Sequence, residues 1–93
     1  NTYLNAEERQ GALVLSQAIR MAEQMVADGE KDANKILDAM KAHIEKEPLA
    51  KIDYVSAVNG ITMAPVSKIE GEVLIAMAVY IGKTRLIDNL NVN

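Results

Sequence analysis

The sequence predicts an α+β domain of two layers, in which a helical hairpin packs on a small three-stranded antiparallel sheet. The first half of the chain carries two amphipathic patterns with helical spacing, and the second half carries three runs of β-forming residues. A Gly-Lys pair separates the last two runs, as a tight hairpin turn requires. At 93 residues, the chain is long enough for one such domain and too short for two.

The first helix is predicted to begin at Ala6, because Asn5 can cap it and Glu8 follows at the spacing of a capping box. Gly29 marks its end. Its apolar stripe consists of Leu15, Ala18, Ile19, Ala22, Met25 and Val26. Leu13 projects away from this stripe, so we expect it to be exposed or covered by something outside the domain.

A second helix is predicted from Asp32, which can cap it, to a point near Lys46, where Pro48 prevents continuation. Its apolar stripe consists of Ala33, Ile36, Leu37, Met40 and Ile44. The turn between the two helices is short, so they should lie antiparallel.

Three strands are expected after the helices. The first is Ile52–Val58, and an irregular connection that begins at Asn59-Gly60 leads to the second. The run Val73–Ile81 is uncharged and rich in Val and Ile, which favours a central strand buried on both faces. The predicted strand order is therefore first, second, third.

Gly82-Lys83 fixes the register of the last two strands, because a two-residue type II′ turn places glycine first, where φ is positive. On one face the predicted pairs are Ile81–Thr84, Val79–Leu86, Met77–Asp88 and Ile75–Leu90. On the other face they are Tyr80–Arg85, Ala78–Ile87 and Ala76–Asn89. The first face is bulkier, so the helices should pack there. Arg85 is expected to stack on Tyr80, and Asp88 needs a backbone donor or water.

Composition excludes several classes of function. A net charge of -3, without basic runs, argues against nucleic acid as a partner. The chain has no cysteine, which removes disulfides and thiolate sites. No apolar run reaches the roughly 18 to 20 residues of a membrane span, and no leader pattern is visible. A soluble, cytoplasmic protein without a membrane partner is expected.

The sequence shows no catalytic or metal-binding constellation. His43 is the single histidine, lies at the border of the second helix's stripe and has no ligand-spaced companion, so it is assigned no role. The three serines, Ser16, Ser56 and Ser67, lack a nucleophile pattern. Gly82-Lys83-Thr84 is similar to the tail of a phosphate loop but is predicted to join two strands instead of opening a helix.

Four segments nevertheless resemble the C-terminal domain of the pantoate-beta-alanine ligase family, in the same order and across nearly the whole chain. The family segment is Ser-Ser-Arg-Asn-x-Tyr-Leu-Ser-Pro-Glu-Glu-Arg, and Asn1–Arg9 is similar to the part of it that begins at Asn. The others are Ala12–Ser16, Ile52–Val55 and, most specifically, Ile81–Asn89. Asn5-Ala6 replaces Ser-Pro of the family, and the loop Asn59–Pro65 also departs from the family's pattern.

The resemblance implies the activity of a two-domain enzyme. The family condenses pantoate with β-alanine to pantothenate, using ATP and Mg²⁺, through a pantoyl adenylate on the way to coenzyme A. The family's nucleotide site lies mainly on an N-terminal domain that is absent here. Of the family's phosphate-contacting loop, only the last residue has a counterpart in this chain. That residue is Asn1, which the resemblance therefore identifies as cofactor-binding. No cofactor is expected to bind this chain by itself.

By the same resemblance, residues 1–93 are a C-terminal lid over that N-terminal domain, with Asn1–Leu4 as the hinge, and the full-length enzyme is a homodimer. Tyr3, Leu4 and Leu13 are candidates for a surface facing the N-terminal domain. The alternative is a stand-alone interaction or dimerisation module, which would pair through Leu13 or the open strand edges.

Overall fold

The computed structural model describes residues 6–92, except for the side chain of Glu7. Two helices, α1 (Ala6–Ala27) and α2 (Ala33–Glu45), precede three strands, β1 (Ala50–Asn59), β2 (Val73–Ile81) and β3 (Thr84–Val92). The predicted α+β architecture is confirmed, as are the bounds of β2. The predicted cap Asn5 and the predicted hinge Asn1–Leu4 lie outside the described residues.

The sheet is antiparallel with strand order β1-β2-β3, as predicted. Every pair expected between β2 and β3 is present, from Ile81–Thr84 at the turn to Ile75–Leu90. Gly82 has a φ of +60°, whereas Lys83 has a negative φ, which is the combination a type II′ turn requires. The turn and the alternation of side chains therefore set the register as expected.

The two helices cover one face of the sheet, which we call the inner face. It carries Ile75, Met77, Val79 and Ile81, all at most 1% exposed, in a cluster with apolar residues of both helices. The half-buried Asp88 also lies on this face, where its carboxylate accepts a hydrogen bond from the backbone N–H of Asn89 at 2.8 Å. A backbone donor was one of the two solutions predicted for it.

The opposite face of the sheet, the outer face, is not covered by a helix. Tyr80 on β2 is 38% exposed there, and Ile87 on β3 is 59% exposed. The expectation that the central strand is buried on both faces is therefore wrong for this face. A continuous apolar run shows only that the strand carries no charged side chain. Small residues such as Ala76 and Ala78 continue the run without needing a layer of helices over them.

The helices follow their predicted stripes. Asp32 is the N-cap of α2, and its carboxylate accepts a hydrogen bond from the backbone N–H of Lys35 at 3.2 Å. In α1, Gly11 is buried against Ile81 so closely that a Cβ at this position would lie 2.3 Å from the Ile81 Cγ1. The lack of a side chain at Gly11 therefore lets α1 approach the sheet. Leu13 is 49% exposed, as expected.

Strand β1 is longer than the predicted Ile52–Val58 and is irregular. Its pairing with β2 shifts between Ile52 and Tyr54, which leaves Asp53 as the extra residue of a β-bulge. The connection to β2 then folds back along the free edge of β1, where the N–H of Val66 donates to the carbonyl of Ala57 at 3.1 Å. This connection shields part of an edge that would otherwise be open.

Candidate functional site

The described residues form no cluster of three or more side chains able to hold a metal ion. Asn1, which the resemblance identifies as a cofactor-binding residue, lies outside them. His43 is half-buried and joins the two helices, because its Nε2 lies 2.9 Å from the Oε1 of Gln17. This contact gives the histidine a structural role that the sequence did not reveal.

Gly82-Lys83-Thr84 joins β2 to β3, so it does not open a helix and its amides do not form a phosphate-binding helix terminus. Instead, the hydroxyl of Thr84 donates a hydrogen bond to the carboxylate of Glu8. Together with the packing of Gly11 on Ile81, this bond places the beginning of α1 at the end of β2 and β3 that contains the hairpin turn. We call this end of the sheet the hairpin edge.

An open cleft of about 910 Å³ lies where the turn between the helices meets the connection from β1 to β2. Backbone hydrogen bonds of Ile69 to Lys31 and of Ala33 to Ser67 hold its walls together. Its charged lining residues alternate in sign: Glu30, Lys31, Asp32, Lys68 and Glu70. Since Asp32 already satisfies the amino end of α2, the cleft does not offer a concentrated site for an anion.

The most distinctive surface is the outer face of the sheet. Four rows of side chains cross its strands from β1 to β3: Lys51–Tyr80–Arg85, Tyr54–Ala78–Ile87, Ser56–Ala76–Asn89 and Val58–Leu74–Asn91. In the second row a large side chain stands on each outer strand and an alanine on the central one. The face therefore forms a shallow trough with small residues along its floor.

Arg85 crosses this trough. Its Nε and Nη2 both donate to the Oδ2 of Asp53, at 3.1 and 3.0 Å, and its guanidinium carbon lies 6.0 Å from the centre of the Tyr54 ring. The predicted stacking of Arg85 on Tyr80 is therefore wrong, although the two residues are paired in the register as expected. The β-bulge places Asp53 and Tyr54 side by side on β1, and the carboxylate attracts the guanidinium across the central strand.

Ala78 is fully buried although it lies on the face without helices. The hydrogen bonds from Arg85 on β3 to Asp53 on β1 carry the guanidinium across the central strand near this position, since Asp53 precedes Tyr54, the partner of Ala78. The sequence predicted neither the pair of Arg85 and Asp53 nor the trough that Arg85 crosses. The bulge that creates them has no dependable signal in the residues of β1.

Within the part of the chain that the structure describes, neither helix has the length and apolar character needed to cross a membrane.

Comparison with known proteins gives consistent matches along almost the whole chain. The family model of pantoate-beta-alanine ligase matches residues 1–91. Pantothenate synthetase of Clostridium botulinum, strain Langeland, is 53% identical over 89 residues, which are 96% of this chain and 32% of that protein. Pantothenate synthetase of Ruminiclostridium cellulolyticum is 55% identical over 91 residues, 98% of this chain and 32% of that protein.

The fold agrees with a solved structure of the same name. The crystal structure of pantothenate synthetase from Thermus thermophilus superposes with a TM-score of 0.82 and 28% sequence identity, over 95% of this chain and 32% of that one. The chain therefore spans about a third of the length of the proteins it matches. On the agreement of sequence motifs, family model and fold, the chain belongs to the pantoate-beta-alanine ligase family.

Proposed function

We propose that this chain is the C-terminal domain of a longer, ATP-dependent ligase that condenses pantoate with β-alanine to form pantothenate in the cytoplasm. The observation that carries the proposal is the coverage of the matches. Almost all of this chain aligns with pantothenate synthetases, while two thirds of those proteins have no counterpart in it. The similarity of Asn1–Arg9 to the family segment that follows the phosphate-contacting residues supports the C-terminal position.

The described residues do not fit ATP or Mg²⁺. They contain no cluster of acidic side chains for a metal ion, and the Gly-Lys-Thr segment joins two strands. Asp32 occupies the amino end of α2. We therefore assign the nucleotide and Mg²⁺ to the N-terminal domain of the longer chain.

The proposed role of this domain is that of a lid. An acyl adenylate is readily hydrolysed, so an enzyme that forms one gains by closing a cover that excludes water and brings the reacting groups together. A domain with its own apolar core can move as a rigid unit about a short linker. Asn1–Leu4 is the proposed linker, and the homodimeric state of the longer enzyme remains a prediction.

The first experiment is to read the codons that precede Asn1. The proposal expects about two hundred further residues, since this chain covers 32% of the length of a matched relative and domains commonly have 50 to 250 residues. The resemblance to the family implies that they carry its nucleotide-binding signature His-x-Gly-His. A start codon next to Asn1 would contradict it and favour a stand-alone interaction module.

The second experiment separates the roles of the two parts. Pantothenate formation is measured for the longer chain, for the part that precedes Asn1 and for residues 1–93, and Mg-ATP binding to residues 1–93 is measured by titration calorimetry. We expect activity in the longer chain, a large loss when the lid is removed, and neither activity nor tight binding in residues 1–93. Full activity without residues 1–93 would refute the lid role.

A further inference from the structure

We propose that the outer face of the β-sheet is the surface by which this domain docks on the remainder of the longer polypeptide. The inference rests on the proposed function, because it takes the rest of that polypeptide as the partner. It adds which of the domain's surfaces makes the contact, and it predicts that the helical layer remains in water.

The first support is the chemistry of the outer face. Tyr54 is 39% exposed, Tyr80 38% and Ile87 59%, so three large apolar side chains share one side of the sheet. Tyrosine is enriched at the centre of protein interfaces, since its ring buries apolar area while its hydroxyl retains a hydrogen bond. Between Tyr54 and Ile87 the alanine floor is buried at Ala78, so the apolar area that a partner can contact is that of the tyrosine and isoleucine side chains themselves.

The second support is that the trough is held in shape before any partner binds. The two hydrogen bonds from Arg85 to Asp53 connect β3 to β1 across the central strand. The guanidinium carbon also lies 6.0 Å from the centre of the Tyr54 ring, within the reach of a cation–π contact. Ordering these groups in advance lowers the entropy lost on docking.

The third support is the position at which a longer chain must enter. The beginning of α1 lies at the hairpin edge, where Thr84 bonds to Glu8. The outer face reaches the same edge through Lys51, Tyr80 and Arg85. The rest of the polypeptide is covalently attached there and is about twice as long as this chain, given that relatives are matched over 32% of their length. To reach the outer face, the remainder has to pass around this edge, because α1 itself lies on the inner face against Ile81.

Two other apolar features fit this partner less well. Ile61 and Met63 are exposed in the connection between β1 and β2, which lies at the opposite end of the strands from the hairpin edge. The nine residues of β2 separate the two ends by about 30 Å, at roughly 3.3 Å per residue. Leu13 is exposed on α1, on the other layer of the domain.

The partner surface should present an aliphatic or aromatic side chain to the trough and acidic groups near its rim. Lys51, on the outer face, and Lys83, in the hairpin turn, are both exposed, whereas Arg85 is already paired with Asp53. Carboxylates opposite these two lysines would guide the approach and fix the orientation of the docked domain.

Thiol labelling tests the inference, because this chain has no cysteine of its own. Single variants Ile87→Cys, Leu13→Cys and Glu45→Cys are made in the longer polypeptide and labelled in the presence of Mg-ATP and pantoate. Peptide mass spectrometry then gives the labelling rate at each position. Glu45 is the matched control, since it is exposed on α2. We expect labelling at Ile87→Cys to be at least about tenfold slower than at Glu45→Cys, and labelling at Leu13→Cys to be similar to the control.

Equal rates at Ile87→Cys and Glu45→Cys would overturn the inference, as would slow labelling at Leu13→Cys with fast labelling at Ile87→Cys. Slow labelling at Ile87→Cys that appears only as the protein concentration is raised would also overturn it, because a second copy would then be the occupant. Pantothenate formation is measured on the same samples. An active enzyme with Ile87→Cys freely labelled refutes the docking surface and leaves the proposed function intact. A longer polypeptide that forms no pantothenate even as the control Glu45→Cys refutes the proposed function, and the docking surface with it.

Discussion

At the scale of single residues, the contact between Gly11 and Ile81 shows how closely α1 lies against the sheet. An added Cβ would lie within 2.9 Å of three Ile81 atoms, and Ile81 is 1% exposed, so the isoleucine has little room to move. Overpacking of this kind typically costs about 1–3 kcal/mol, whereas alanine favours a helix over glycine by about 1 kcal/mol. We expect Gly11→Ala to lower the free energy of unfolding by up to about 2 kcal/mol in urea titrations.

The matched control for this prediction removes the obstacle. In an Ile81→Ala background, Gly11→Ala should stabilise the protein through helix propensity. A Gly11→Ala cost that is the same in both backgrounds would show that the contact with Ile81 is not its cause.

The pair of Arg85 and Asp53 should make a small contribution to stability. Both side chains are 40% exposed, and such pairs contribute about 0.2–1 kcal/mol. A double-mutant cycle of Arg85→Ala and Asp53→Ala should give a coupling energy in that range that decreases with added salt. The corresponding cycle of Lys83→Ala and Asp53→Ala is the control and should show no coupling; equal coupling in the two cycles would argue against a specific pair.

At the scale of elements, the start of α2 depends on Asp32, whose carboxylate accepts the backbone N–H of Lys35. Replacing such a cap by alanine costs about 1 kcal/mol, and asparagine can replace it with little loss. We expect Asp32→Ala to lower the free energy of unfolding by about 1 kcal/mol and Asp32→Asn by much less, as measured by urea titration. Asp38→Ala, at an exposed position within the same helix, should change it by less than about 0.5 kcal/mol. A similar effect at both positions would exclude capping as the cause.

The strands illustrate why one connection could be predicted and the other could not. Gly82-Lys83 is a two-residue turn, so the turn type fixes which residues face each other along all of β2 and β3. The connection from β1 to β2 has no such constraint. Its path along the edge of β1 depends on contacts such as Val66 to Ala57 and on the Asn59 side chain, which accepts the N–H groups of Ile61 and Thr62.

At the scale of the whole molecule, the 93 residues should fold without the rest of a longer chain. The Cα radius of gyration is 13.2 Å, close to the roughly 12 Å expected for a folded domain of this length. We expect cooperative urea unfolding with a free energy of about 5 kcal/mol. Circular dichroism and tyrosine fluorescence should follow the same transition. Non-coincident transitions, or strong binding of a hydrophobic dye, would contradict an independently folded domain.

The candidate site was predictable to a smaller extent than the fold. The motif Ile81–Asn89 pointed to the family, and it includes Arg85, but the pattern of residues assigned Arg85 to the wrong ring. Asn1 was identified through the resemblance and lies outside the described residues. The docking surface depends on which face of the sheet the helices leave open, and the sequence indicated that face only through the smaller size of its side chains.

The sequence by itself determined the order of the elements, the register of the hairpin and the inner face of the sheet. These features depend on periodicity and turn geometry, which act between residues close together in the chain. The tertiary structure decided the partners of Arg85, the burial of Ala78 and the path of the connection along β1. Arg85 and Asp53 are 32 residues apart, and a one-residue bulge brings them together. Such a contact depends on the packed arrangement of three strands, because no pattern within any one strand specifies it.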